Sequence, residues 1–302
     1  MIKKRNLDAS LVSYIDGLGM GLEARGALGG TVYYVEGNDG SDEYDGLSVE
    51  LPFKTLAKAI TVSHADIDQR SRWAKRNTIY IYGDRLIETL TAFPQKTDIV
   101  GQGSCDNFTQ VCLRGNHAPV NTAVGTRFFN VQFEPTSAAV MMTLTSASTG
   151  IEFHNCTFEA WGAAAATSAI NTKAHAWLKV VGCEFNGEFS DAVIQIEAGD
   201  VNGMKIIGNT IMGGAENGID VVGTTTVTKG RLALIADNEI YVAEITINDG
   251  ADSTFLVMDN TCVTAGAYGG TSHVITVEFA GNNVVVAAGT AYTIPDLKID
   301  AT

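Results

Sequence analysis

Basic side chains are scarce in this chain. Against 34 Asp and Glu stand only 20 Lys and Arg, a formal net charge of −14 over 302 residues. A surface of that sign repels a phosphate backbone, so no nucleic acid is expected as a partner. Cysteine is also sparse: Cys105, Cys112, Cys156, Cys183 and Cys262 make an odd set with no CxxC pair. That excludes a complete disulfide framework and a zinc ribbon and fits assembly in a reducing compartment. No stretch approaches eighteen apolar residues, so no membrane span is expected. The basic start Lys3-Lys4-Arg5 is followed by Asp8 and Asp16 rather than an apolar run, so no secretion signal is read. His64, His117, His154, His175 and His273 are scattered without ligand spacing, and there is no glycine-rich phosphate loop, G-x-S-x-G elbow or Cys/His nucleophile arrangement. No catalytic residue, cofactor site or metal site is assigned on these grounds.

What the chain does have is 45% hydrophobic residues, 32 glycines and only 5 prolines, enough for a full core and unlike a disordered or collagenous chain. The acidity is uneven. Residues 1–76 hold ten basic and eleven acidic side chains, whereas 77–302 hold ten and twenty-three.

Seven octets align along that acidic part: TRFFNVQF (126–133), IEFHNCTF (151–158), LKVVGCEF (178–185), MKIIGNTI (204–211), ALIADNEI (233–240), FLVMDNTC (255–262) and VEFAGNNV (277–284). Their starts are 22 to 29 residues apart. The third column (Phe128, Phe153, Val180, Ile206, Ile235, Val257, Phe279) and the eighth (Phe133, Phe158, Phe185, Ile211, Ile240, Cys262, Val284) are apolar throughout. The fifth holds Asn130, Asn155, Gly182, Gly208, Asp237, Asp259 and Gly281, residue types that tolerate left-handed backbone, so each octet reads as strand, sharp bend, strand. The sixth ends in Asn209, Asn238, Asn260 and Asn282, which predicts a stacked amide ladder at the interstrand spacing of ~4.8 Å. Just before these, Cys156 and Cys183 share the column and are expected to stack as small core thiols.

A repeat of this length, with β-branched alternation and no 3.6-residue apolar period, predicts a parallel β-solenoid. Between octets, Met141 to Thr145, Val193 to Ile196, Ile219 to Val222 and Ile245 to Ile247 supply a third strand per coil. The expected fold is all-β, a single-stranded right-handed parallel β-helix with an N-terminal capping helix and an extended N-terminal arm.

Thr31-Val32-Tyr33-Tyr34-Val35, then Gly37 to Asp42, Asp45-Gly46-Leu47-Ser48, Pro52-Phe53-Lys54-Thr55-Leu56 and Ala59-Ile60, resemble the N-terminal opening of pectate-lyase-like right-handed β-helix proteins. Thr78 to Gly83 and Ile99 to Gly103 resemble that fold's first coils, and the resemblance runs over roughly residues 31–290. It implies the fold. The same opening occurs in carbohydrate-active enzymes and in bacteriophage structural proteins, so it does not choose between activities.

An open strand edge at the end of a β-helix invites stacking and has to be covered. Phe53, Leu56, Ile60 and Ile67, after Pro52 at a first helical turn, predict the amphipathic helix that covers it. The predicted layout is an attachment arm at 1–30, the first strand and capping helix at 31–76, and the β-helix with a C-terminal cap at 77–302.

For chemistry, Glu197, Asp200, Asp220, Asp249 and Asp252 fall near the ends of the inter-octet strands and are the carboxylates that general acid/base work on a sugar would recruit. The plain alternative makes them solvated corner residues. A paired-aspartate, Gly-His-Gly and Arg-x-Lys pattern of the polygalacturonase kind is absent. Asp39, Asp42 and Asp45 have oxygen spacing that could hold calcium or simply shape an Asx-rich loop. Arg70 to Arg76, with Trp73 inside, is the one basic cluster.

The reading is a non-catalytic structural protein of a phage particle, a capsid decoration or short surface appendage assembled in the host cytoplasm. It is expected to be a homotrimer joined to other virion proteins through residues 1–30, with host polysaccharide as a ligand. The alternative is a carbohydrate-active β-helix, a tail-spike depolymerase or polysaccharide lyase.

Overall fold

In the computed structural model, residues 30–287 are described except 71–74, 84, 104–110, 162–164, 174, 198, 214–216, 223–224, 227–232, 242–243, 249–254, 265–278 and 282–283. Of the expected arm at 1–30 all but Gly30 therefore lies outside the described residues, as do the C-terminal cap and Asn282.

Among the described residues the chain winds as a right-handed parallel β-helix with three long sheets. The first has ten strands, beginning at Val32–Glu36, Asn77–Tyr82 and Thr97–Gly101 and continuing through the front half of every octet. The second has nine, the back halves of the octets preceded by Arg85–Ile87 and Val111–Arg114. The third has five: Met142–Leu144, Ile170–Lys173, Ile194–Glu197, Asn217–Val222 and Glu244–Asn248. Ile170–Lys173 escaped the sequence pattern because only Ile170 is apolar there, and Thr172 takes the inward position between Leu144 and Ile196.

The bend column behaves as its residue types require. Asn130, Asn155, Gly182, Gly208, Asp237 and Asp259 have φ of 58°, 50°, 62°, 64°, 55° and 55°. Left-handed backbone at that one position turns the chain from the first sheet to the second in successive coils. Inside, like stacks on like. Phe133, Phe158 and Phe185 are neighbours in register with ring centroids 4.8 Å apart at each step, and Phe128 stacks on Phe153 at 5.3 Å. Cys156 and Cys183 are buried free thiols in adjacent coils, as expected. Below them the amide ladder forms: Asn209 Nδ2 donates to Asn238 Oδ1 at 2.8 Å, and Asn238 Nδ2 to Asn260 Oδ1 at 2.8 Å.

The seventh octet is corrected by one residue. Val257 pairs with Ala280 rather than Phe279, and Cys262 with Val285 rather than Val284. The run Val284-Val285-Val286 offers the same apolar pattern in either frame, so side-chain type did not fix the register.

Helix α1 (Leu56–Arg70) packs on the first two strands of the first sheet and buries Leu56, Ala59, Ile60 and Ile67. It begins four residues after Pro52, and Phe53, expected within it, instead bridges to Val35. Thr55 is the N-cap, its hydroxyl accepting from Lys58 N at 3.1 Å. Glu88 of the coil above accepts from Leu56 N at 2.7 Å and Ala57 N at 3.0 Å, so a carboxylate meets the positive end of the helix.

Candidate functional site

Of the carboxylates expected to form a site, Glu197 and Asp220 are the two that the described residues bring near each other, at diagonal positions on neighbouring strands of the third sheet. Glu197 lies beside Lys173 at 4.0 Å and accepts from Asn171 Nδ2 at 3.0 Å. Asp200 accepts from the backbone amide of Asn202, and Asp220 is buried on the third sheet beside Gln195 and Thr246. Asp249 and Asp252 lie outside the described residues. In the loop before α1, Asp42 accepts from the amides of Lys54 and Thr55 and from the Thr55 hydroxyl, while Asp45 accepts from Leu47 N. These two carboxylates shape the loop and approach of the helix. Among the described residues no group of three His, Cys, Asp or Glu side chains is placed to hold a metal ion. From the basic cluster, Lys75 is buried against Asp66, and Arg76 donates to Asp98 at 2.9 Å and to Gly125 O at 2.7 Å.

Charge gathers instead on the outer face of the second sheet. Strand alternation points Gln132 and Glu134 outward from Val131–Glu134, and Thr157 and Glu159 outward from the neighbouring Thr157–Ala160. Gln132 Nε2 donates to Glu134 Oε1 and to Glu159 Oε2, each at 3.0 Å. One nitrogen reaching both sets those oxygens no more than about 6 Å apart, too close for the ~6.5–9.5 Å of an inverting glycosidase pair. Arg85 reaches Glu134 at 3.0 Å from one side and Arg114 at 4.0 Å from another. Asn186, next in register after Glu159, donates to Glu184 at 2.8 Å.

A cleft of about 170 Å³ opens here, lined by Arg114, Glu134, Pro135, Glu159 and Trp161. Trp161 is 63% exposed, and a large indole held in water beside carboxylates is a ready surface for a ligand with an apolar face. Burial, reinforced by the carboxylates of Glu134 and Glu184, holds the Glu159 carboxyl above the ordinary carboxylate range. On the same face, in register with Arg85 and Gln132, burial and Glu134 push the Cys112 thiol up to about 12, which keeps the sulfur protonated at neutral pH.

No family model, curated protein or solved structure matches this chain. Its chemistry is therefore argued from the site itself. Sequence reading missed these residues although they stood in the aligned repeat: Gln132, Thr157 and Glu184 fill the seventh column, and Glu134, Glu159 and Asn186 follow the eighth directly. The apolar columns announce the core. The polar columns between them carry the outer face, and only the fold shows that successive coils set them side by side.

The arrangement offers carboxylate acceptors, guanidinium donors and an exposed indole over one short stretch of sheet. A pyranose presents hydroxyls at its rim and C–H bonds on its faces, and this set of groups matches both.

Proposed function

We propose that the protein is a structural component of a bacteriophage particle, a capsid decoration or short surface appendage whose solenoid projects outward and holds host-surface glycan on its second sheet. The observation that supports the glycan role is the Glu134 and Glu159 pair beside exposed Trp161, with Arg85 and Arg114 adjoining. Placement on a particle and trimer formation rest on the resemblance of the opening segment to phage β-helix proteins, and attachment through residues 1–30 on the glycine-rich run from Gly17 to Gly30 ahead of the solenoid. At about 170 Å³ the cleft is smaller than the ~300–1,000 Å³ of enclosed small-molecule sites, which suits shallow recognition along a polymer better than engulfment of one molecule.

A second reading, a depolymerase or other carbohydrate-active β-helix, is favoured by one specific pairing. Glu159, held above the usual carboxylate range, shares the Gln132 side-chain amide with Glu134. Two carboxyl groups with different environments are what acid and nucleophile roles require.

Polysaccharide binding measured for the wild type and Trp161→Ala tests the glycan role; unchanged binding by the variant, or none by the wild type, overturns it. Release of new reducing ends or unsaturated products, abolished by Glu159→Gln, establishes the catalytic reading instead. Capture on assembled capsids with and without residues 1–30 tests the arm, and light scattering of the full chain tests the trimer.

A further inference from the structure

A second concavity lies at the other side of the molecule, on the outer face of the first sheet where the solenoid begins. Its volume is about 430 Å³, and it is lined by Tyr34, Val49, Tyr80, Tyr82 and Gln102. Tyr34 and Tyr80 face each other in register on adjacent strands, with centroids 5.9 Å apart and planes 28° apart. Tyr82 follows two positions along the same strand and therefore shares the face with Tyr80. Its hydroxyl donates to Val49 O at 2.7 Å, which ties the 46–51 loop across the cleft as a wall. The loop is further fixed by Tyr34 N donating to Gly46 O at 2.8 Å and by Gly46 N donating to Leu51 O at 3.1 Å.

The cleft is aromatic, with two carboxylates near Tyr82. Burial, with a smaller push from the carboxylates of Glu36 and Glu50, holds the Tyr82 phenol above its ordinary range; Glu36, in register with Tyr82, is buried and accepts from the amides of Asn38 and Asp39, which leaves Glu50 as the exposed acid. Among the described residues no lining side chain is basic, and the chain as a whole carries −14. Three phenol rings, a valine and nearby carboxylates describe a place for a large, weakly hydrated cation. Aromatic faces attract positive charge through their quadrupole, and the attraction is greatest for ions that shed water cheaply. A primary ammonium is compact and strongly hydrated. A trimethylammonium group is not, and its methyls can contact Val49 and the ring faces while its charge is met by the Glu50 carboxylate.

We propose that this cleft binds a quaternary ammonium headgroup of the choline type. The site is separate from the one on the second sheet and does not depend on the glycan reading.

Choline chloride titrated into the full-length protein, followed by calorimetry and by tyrosine NMR shifts, tests this directly. Saturable binding is expected, with ammonium chloride at the same ionic strength producing none. Tyr80→Leu should weaken choline binding by about tenfold or more, Tyr80→Phe should retain it because the ring is kept, and Glu50→Gln should weaken it severalfold. Phosphocholine and phosphatidylcholine vesicles form two further arms. Binding of phosphocholine alone identifies a soluble or polymer-borne headgroup, and binding of the vesicles identifies a lipid one. Absence of saturable choline binding, equal response to ammonium, or unchanged affinity in Tyr80→Leu would each overturn the proposal. Thermal melts of the variants separate loss of a ligand contact from loss of the fold.

Discussion

Asn238 shows how much one side chain can hold in a solenoid. Fully buried, it donates from Nδ2 to Asn260 Oδ1 and to Ile206 O, and its own Oδ1 accepts from the backbone and side-chain amides of Asn209. Asn238→Leu is more hydrophobic yet strands two donors and a carbonyl where water cannot replace the lost partner. A loss of roughly 1–3 kcal/mol is expected in chemical denaturation, and an unchanged midpoint would contradict the ladder's energetic role. Buried histidines set a second residue-scale expectation. Burial pushes His117 and His175 down to about 4 from an ordinary 6.5, so both are neutral in the fold while the unfolded chain takes up the proton first. Stability is therefore complete above pH 6.5 and falls as the pH drops towards 4, by on the order of 2–3 kcal/mol for each site. Glu152 acts in a lower window. Although burial opposes it, hydrogen bonds from His154 and Lys179 hold its carboxyl down to about 2, and its contribution is lost only as the pH falls from 4.5 to 2. Melting temperature against pH, for the wild type and a His117→Gln, His175→Gln double variant, separates the two windows. The variant's curve should be flatter between pH 6.5 and 4, and a parallel curve would refute the assignment.

The cap of α1 is the element whose ends are most clearly built. Thr55→Ala removes the hydroxyl that accepts from Lys58 N and donates to Asp42, and should cost about 1 kcal/mol. Glu88→Ala should cost more, because it strips acceptors from two first-turn amides at once. Urea midpoints of both variants and the wild type check the order: a Glu88→Ala midpoint no lower than that of Thr55→Ala would refute it, and one equal to the wild type's would show that Glu88 is dispensable. Thr55 lay in the opening motif, but its capping role was hidden behind Pro52, and Glu88 lies 32 residues from its partner, beyond any local pattern. The strands and bends of the octets were legible because burial and left-handed backbone each demand a narrow set of residue types at one column. Ile170–Lys173 was not, since a half-polar strand differs little from a loop until its neighbours are known. The candidate site was illegible for the same reason: Glu134 and Glu159 are 25 residues apart in sequence, and nothing but the coil period makes them neighbours.

At the scale of the whole molecule, a solenoid in which each coil contacts only those above and below should tolerate removal of one complete coil. Lys179 and Lys205 are register partners, so deleting residues 179–204 joins Leu178 to Lys205 at an equivalent point of the helix. The stacks then close on themselves. Phe158 meets Ile211 in place of Phe185, Ile170 meets Ile219 in place of Ile194, and Cys156 takes the position of Cys183, whose amide donates to Asn209 Oδ1 at 2.8 Å. The Glu134, Glu159 and Trp161 cleft is left on the intact side of the junction. A deletion of 179–191 instead leaves half a coil and reverses which residues face inward for the remainder of the turn. Circular dichroism and thermal unfolding of both deletions are the measurement. The whole-coil variant should keep its β spectrum and a single cooperative melt while the half-coil variant loses both. If the two behave alike, the stability of this chain is not organised coil by coil, and the nearest-neighbour account of its fold fails.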